Sequence, residues 1–243
     1  MTTRFASFLI GTIAFAADDV ERVFRFANTP NVRAVQELST VVRSIGEIRH
    51  AYADGAAQTL TVRAPQEQVT LAEWVIKELD RPPAEHAPAT FEIRSPDGTP
   101  QTIRVLYVPP AADMQQAQEI TTLVRSIGEI RHAFLYSSTG AMALRGSPDQ
   151  IALAEWLLTE VAKNGRSSEA REFRLDGKGE DVVQVFHLSE AYTVERLQEI
   201  AKRTRTATQL RRLFTFNATR AIAARGTADQ ISTAERMLRE HSR

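Results

Sequence analysis

The sequence predicts an α+β protein built of three tandem βαββα units, each a small sheet covered on one face by two helices. Three observations carry this. The string Val-Arg-Ser-Ile-Gly-Glu-Ile-Arg-His-Ala runs from Val42 to Ala51 and recurs unchanged from Val124 to Ala133, 82 residues later. An identity of that length marks an internal repeat. Extended outward without a gap, the match sets Val23, Glu37, Arg63 and Trp74 on Val105, Glu119, Arg145 and Trp156. A third, more diverged copy follows 80 residues on, where Val185, Glu199, Arg205, Phe214 and Arg225 answer Val105, Glu119, Arg125, Phe134 and Arg145.

Each copy opens on an apolar run, Val23 to Phe26, Ile103 to Val108 and Val182 to Leu188, which reads as a strand. Asn31, Asp113 and Thr193 stand at one repeat position as side chains able to accept from the free amides of a helix start. Apolar residues then recur at helical spacing, as Val32, Val35, Leu38, Val42 and Ile45 in the first copy. Gly46 and Gly128 are expected to end those helices in the left-handed conformation. A hairpin comes next: Ile48 to Ala53 alternates, a turn forms at Asp54-Gly55, and Leu60 and Val62 share a face. The second helix is announced by Pro65, and by the capping boxes Ser147-Pro148-Asp149-Gln150 and Thr227-Ala228-Asp229-Gln230.

The expected organisation is a signal peptide at 1–17, a first unit at 18–82, a linker with an extra strand at 83–101, and a second unit at 102–163. A further linker with an extra strand, at 164–181, leads to a third unit at 182–243. The extra strands are Phe91-Glu92-Ile93 and Phe173-Arg174-Leu175, each followed by a turn. A unit of about 60 residues buries only about 60% of its unfolded surface, so neighbouring units are expected to lend each other stability.

Arg4 followed by the apolar run Phe5 to Phe15 and by Ala14-Phe15-Ala16 has the form of a secretory signal. The run is shorter than the roughly 20 residues of a spanning helix. The mature chain is therefore expected to be periplasmic or secreted, with no transmembrane segment. Thirty basic and thirty acidic residues cancel, so bulk charge draws the chain to neither nucleic acid nor anionic membrane. Only the third unit is basic, at +5 over residues 182–243. The absence of cysteine removes disulfides and thiolate metal sites.

The third copy's Val185-Phe186-His187-Leu188, Leu197-Gln198-Glu199-Ile200, the run Ala218 to Gly226, Gln230-Ile231 and Ala234-Glu235 resemble the N-domain repeats of secretins. The stretch from Gln68-Val69 to Leu79-Asp80-Arg81-Pro82 is similar to the end of that module. Such repeats form periplasmic rings ahead of the outer-membrane pore in type II secretion and type IV pilus systems. The resemblance thus implies a ring-building or partner-docking module, its partner the chain itself, as a homo-oligomer, or a component of an envelope complex. The sequence runs to Arg243, just past the third unit's last helix, and a module without a pore of its own is expected. An asparagine common after the family's hairpin turn is replaced by Gln58, Gly140 and Arg220, which implies turns that differ between copies.

No residue pattern commits the chain to chemistry, and no catalytic residue, cofactor, metal or small-molecule substrate is expected. His50 and His132 are repeat-equivalent, but the third copy carries Arg212 there and no second ligand stands at a metal-binding interval. There is no G-x-S-x-G, and Gly177-Lys178-Gly179 lacks the spacing of a phosphate loop. Glu37, Glu119 and Glu199 read as solvated partners of nearby arginines. The alternative from another class is a KH-like nucleic-acid binder, which shares the element order; its Gly-x-x-Gly loop is missing, and Glu47 stands where phosphates would lie.

Two sets of residues remain. Three arginine positions recur in every copy: Arg43, Arg125 and Arg205; Arg49, Arg131 and Arg211; Arg63, Arg145 and Arg225. Together with Arg212 they read as a candidate protein interface, against the plainer role of pairing with the repeated glutamates. Trp74 and Trp156 point away from the core face of their helices, and the third unit has Arg236 there. Each tryptophan is therefore expected to pack on the linker or first hairpin of the next unit, which the last unit lacks.

Overall fold

The computed structural model describes residues 19–82, 85–108, 114–163, 171–175, 181–189 and 191–240. The proposed signal peptide, Asp113, Gly177-Lys178-Gly179 and most of the second linker lie outside the described residues. The first sheet holds β1 (Val20–Arg25), β2 (His50–Asp54) and β3 (Thr59–Ala64), with helices α1 (Val32–Gly46) and α2 (Gln66–Leu79). The second holds β4 (Ala89–Arg94), β5 (Pro100–Tyr107), β6 (His132–Tyr136) and β7 (Ala141–Gly146), with α3 (Met114–Ile127) and α4 (Pro148–Val161). The third holds β8 (Arg171–Arg174), β9 (Asp181–His187), β10 (Arg212–Phe216) and β11 (Ala221–Thr227), with α5 (Val194–Thr208) and α6 (Ala228–Glu240). The strand orders are β1-β3-β2, β4-β5-β7-β6 and β8-β9-β11-β10, all antiparallel.

Local chemistry sets the element ends. The Asn31 side chain accepts from the Ala34 amide, Thr193 from Arg196, and Ser147 and Gln150 form a reciprocal capping box. The helix ends differ from expectation. Gly46 belongs to α1, and the left-handed residues are Glu47, Glu129 and Gln209, with φ of 53°, 55° and 55°. The glycines serve close approach instead: a Cβ on Gly46 would lie 2.8 Å from Ile48 Cδ1, and one on Gly128 2.5 Å from the Val124 carbonyl. The hairpin turns also differ from expectation, in being alike. Gln58, Gly140 and Arg220 all take positive φ, and their carbonyls accept from the amides of Phe26, Val108 and Leu188.

The sheets of the second and third units are buried on both faces. The helix-facing side of β5, β6 and β7 packs Leu106, Met142 and Leu144 under α3 and α4. The opposite side, with Ile103, Val105, Ala141 and Ala143, joins the first unit's core around Leu38, Val42 and Ile45 of α1. One step along the chain the arrangement repeats, and Val183, Val185, Ala221 and Ala223 complete the second unit's core. The first helices of units one and two, α1 and α3, are thus each sandwiched between their own sheet and the next. The order is a head-to-tail stack, with two seams that bury apolar area no single unit could cover.

Candidate protein-docking site

The seams show what this sheet face is built to hold. At the first seam α1 crosses β6 and β7. Arg145, only 8% exposed, donates from Nη1 to the Ile45 carbonyl at 2.9 Å, and its Nη2 lies 3.2 Å from the Glu47 carboxylate. His132 Nε2 stands 3.6 Å from the same carboxylate. The helix C-terminus is the negative end of the helix dipole, so a guanidinium there meets a partial charge, a free carbonyl and a full anion together. The left-handed turn at Glu47 brings that carboxylate to the next unit. At the other end of α1, Glu37 accepts from the Ser137 amide at 3.0 Å and from its hydroxyl at 2.7 Å.

The second seam repeats the first with changed residues. Arg225, 4% exposed, donates to the Ile127 carbonyl at 2.9 Å and pairs with Glu129 at 3.1 Å and Asp181 at 3.0 Å. Arg212 pairs with Glu129, and Glu119 accepts from the Asn217 amide at 2.9 Å and from its side chain. Glu37 and Glu119 are therefore inter-unit ties and not the solvated helix pairs their spacing suggests. Glu199, the third-unit counterpart, pairs with Arg196 and Arg203 on its own helix.

The three arginine sets separate. Arg125 donates to the Ala133 carbonyl at 2.9 Å and lies 5.0 Å over the Phe134 ring, while Arg205 donates to the Leu213 carbonyl, so this position pins a helix to its own hairpin. Arg43, Arg49, Arg131 and Arg211 are exposed. Arg145 and Arg225 are spent within the chain, as is Arg212 in part, and burial withholds the first two from any outside partner. Arg63 is different: its side chain is 61% exposed and stands 3.8 Å from Asp19. Trp74 and Trp156 lie half-buried, 5.3 Å from Phe91 of β4 and 5.5 Å from Phe173 of β8.

In the first unit the face that receives a helix elsewhere is open. Val23 is 57% and Tyr52 67% exposed, where Val105 is fully buried and Phe134 half-buried. His50 pairs across the ladder with Arg63 as His132 does with Arg145, so the couple that holds Glu47 at the first seam is also present here. The open face is more polar than its counterparts. Glu21, Asp54, Thr59 and Thr61 stand where the second unit has Ile103, Tyr136, Ala141 and Ala143.

Two further features lie at the seams. A cleft of about 450 Å³ opens between α3 and α5, bordered by Glu119, Lys202, Arg205 and Asn217. His187, at the end of β9, has both ring nitrogens shielded from solvent. Burial pushes its pKa below the usual 6.5, partly offset by the Glu160 and Thr219 backbone and the Glu160 carboxylate. Burial likewise raises the Tyr107 and Tyr136 hydroxyls above the ordinary 10.0. Among the described residues no cluster of three or more His, Asp or Glu side chains could hold a metal ion, and no helix is long and apolar enough to cross a membrane.

No family model and no curated protein matches the sequence. Among solved structures the chain is similar to secretin N-terminal domains. The N-terminal domain of the secretin XcpQ from Pseudomonas aeruginosa aligns over 93% of this chain and all of its own length, at 11% identity and a TM-score of 0.29. ExeD of Aeromonas hydrophila aligns over 92% of this chain at 13% identity and a TM-score of 0.22. The ETEC pilotin–secretin complex AspS–GspD aligns over 93% at 17% identity and a TM-score of 0.23. This chain spans 41% of the ExeD chain and 38% of the chain matched in that complex.

Proposed function

We propose that the protein is a non-enzymatic, periplasmic assembly module that binds other proteins, either as a ring or stack with itself or by docking to an envelope secretion or pilus complex. One observation carries the reading: a sheet face that takes a helix in two units is left open in the first, with its cross-strand His–Arg couple intact. Apart from Val20 and Val32, the exposed large hydrophobics of the described chain are Val23 and Tyr52 on that face. An interface in which a few aromatic and arginine residues carry most of the energy needs such anchors. Trp74 and Trp156 hold each unit to the first hairpin of the next, and Arg49, Arg131 and Arg211 are the recurring arginines left for an outside protein. The proposed units follow the boundaries read from the sequence, joined at 83–101 and 164–181.

Light scattering on the purified mature chain, together with cross-linking in envelope extracts, tests the reading. Oligomers or a cross-linked envelope protein are expected; a chain that stays monomeric at every accessible concentration and cross-links to nothing would refute it. Sequencing the amino terminus of protein from a periplasmic extract checks the compartment, with a start near Ala17 or Asp18 expected.

A further inference from the structure

We infer that the open face of the first sheet is the receptor for a helix of a partner protein, one that carries an acidic residue just past its C-terminus and docks that end on Arg63 and His50. The inference rests on the protein-binding reading above and names the occupant of the same site. The stack itself supplies the template. At both seams the occupant is a helix ending in Ile-Gly-Glu, whose last carbonyl and glutamate meet the arginine of the receiving sheet. Each receiving arginine is also contacted from its own unit, Arg145 by Gln101 at 3.3 Å and Arg225 by Asp181 at 3.0 Å. Asp19 holds that position beside Arg63, so the guanidinium is steered from one side and open to an anion on the other. The apolar shelf of Val23 and Tyr52 lies where Val105 and Phe134 lie beneath α1.

The third unit's own first helix, α5, is a poor occupant. Leu123, fully buried on α3, is replaced on α5 by Arg203, and Glu129 by Gln209. The outer face of α5 is therefore polar and lacks the carboxylate that Arg63 awaits. Thr59 and Thr61, in place of two alanines, raise the floor of the open face. A helix there sits less deeply than at the seams, which suits a reversible partner more than a permanent one.

The test uses the full chain and, as probe, a labelled peptide of residues 31–48 held helical by a lactam bridge. Saturable binding in the micromolar range is expected by fluorescence anisotropy. Arg63→Glu, or Glu47→Lys in the peptide, weakens it about tenfold or more, and combining the two restores it. Thr61→Ala strengthens it. No binding, or binding indifferent to Arg63→Glu, overturns the inference. So does concentration-dependent self-association lost in Arg63→Glu, which would seat a second copy on the face. A chain that refuses the peptide while Tyr52 resists nitration would place its own first residues there, and that too overturns the inference. Any of these failures with cross-linking to envelope proteins retained removes the helix receptor alone; the protein-binding reading falls only if that cross-linking is lost as well.

Discussion

Arg63 and Arg225 occupy one repeat position at opposite ends of the stack, and their surroundings could hardly differ more. Arg225 is sunk beneath a helix C-terminus with two carboxylates around it, whereas Arg63 projects into solvent beside one distant aspartate. The same residue on the same strand is a buried structural cross-tie in one case and a largely exposed side chain in the other. What decides is whether a preceding unit lends its first helix. A repeat position therefore has no fixed role; its role follows from its rank in the stack.

The largest effect that would sharpen this contrast comes from truncating both arginines. Arg225→Ala leaves Glu129, Asp181 and the Ile127 carbonyl without their shared donor, at a cost of about 3 kcal/mol. Arg63→Ala should change stability by less than about 0.5 kcal/mol. Urea denaturation measures both, and equal losses would break the comparison. Next come the tryptophans. Trp74→Ala removes a half-buried ring and its contact with Phe91, an expected loss of about 2 kcal/mol that loosens the first unit from the second without unfolding either. Wild-type tryptophan emission should be blue-shifted and poorly quenched by iodide.

A smaller effect is expected at the repeated glutamates. Glu119→Ala strips the Asn217 amide of its acceptor and should cost about 1 kcal/mol, while Glu199→Ala, which breaks exposed pairs on its own helix, should cost well under about 1 kcal/mol. Thermal melts of the two variants would show the difference. The smallest effect concerns pH. His187 is harder to protonate folded than unfolded, so its neutral form contributes stability above pH 6.5 that declines as pH falls toward the lowered folded value. His187→Tyr, which installs the side chain found at Tyr107, should flatten the decline of stability below pH 6.5. A decline unchanged in the variant would assign the acid sensitivity elsewhere. Because Arg212 ties the third unit to Glu129, reversing the charge of Arg211 alone is the cleaner probe of partner binding by the basic unit, and such binding should fall as salt rises.

Much of this was legible in the residues. The period of the repeat is written in a ten-residue identity, and the element order, the caps at Asn31, Thr193 and Ser147 and the added strands at Phe91 and Phe173 depend on local patterns of two to five residues, which survive in any tertiary context. The tertiary contacts of the glutamates at 37, 47, 119 and 129 could not be read this way. On a helix surface a glutamate near an arginine looks the same whether it faces water or the next unit, and only the stacking of the chain on itself brings Ser137 or Arg145 to it. One signal did exist. The third strand alternates as Thr-Leu-Thr-Val, buried on one face, whereas its counterparts read Ala-Met-Ala-Leu and Ala-Ile-Ala-Ala, small or apolar on both faces. Sheets covered on both sides lose alternation in this way.

By itself, then, the sequence determined the repeat, the fold of each unit and the residues at which its elements begin. Those choices are made by hydrogen bonds and apolar periodicity within a few residues of one another. Only the tertiary structure decided which of three equivalent sheet faces stays open, because burial of that face depends on a helix 60 to 100 residues away, or on none, and no local pattern encodes a neighbour at that distance.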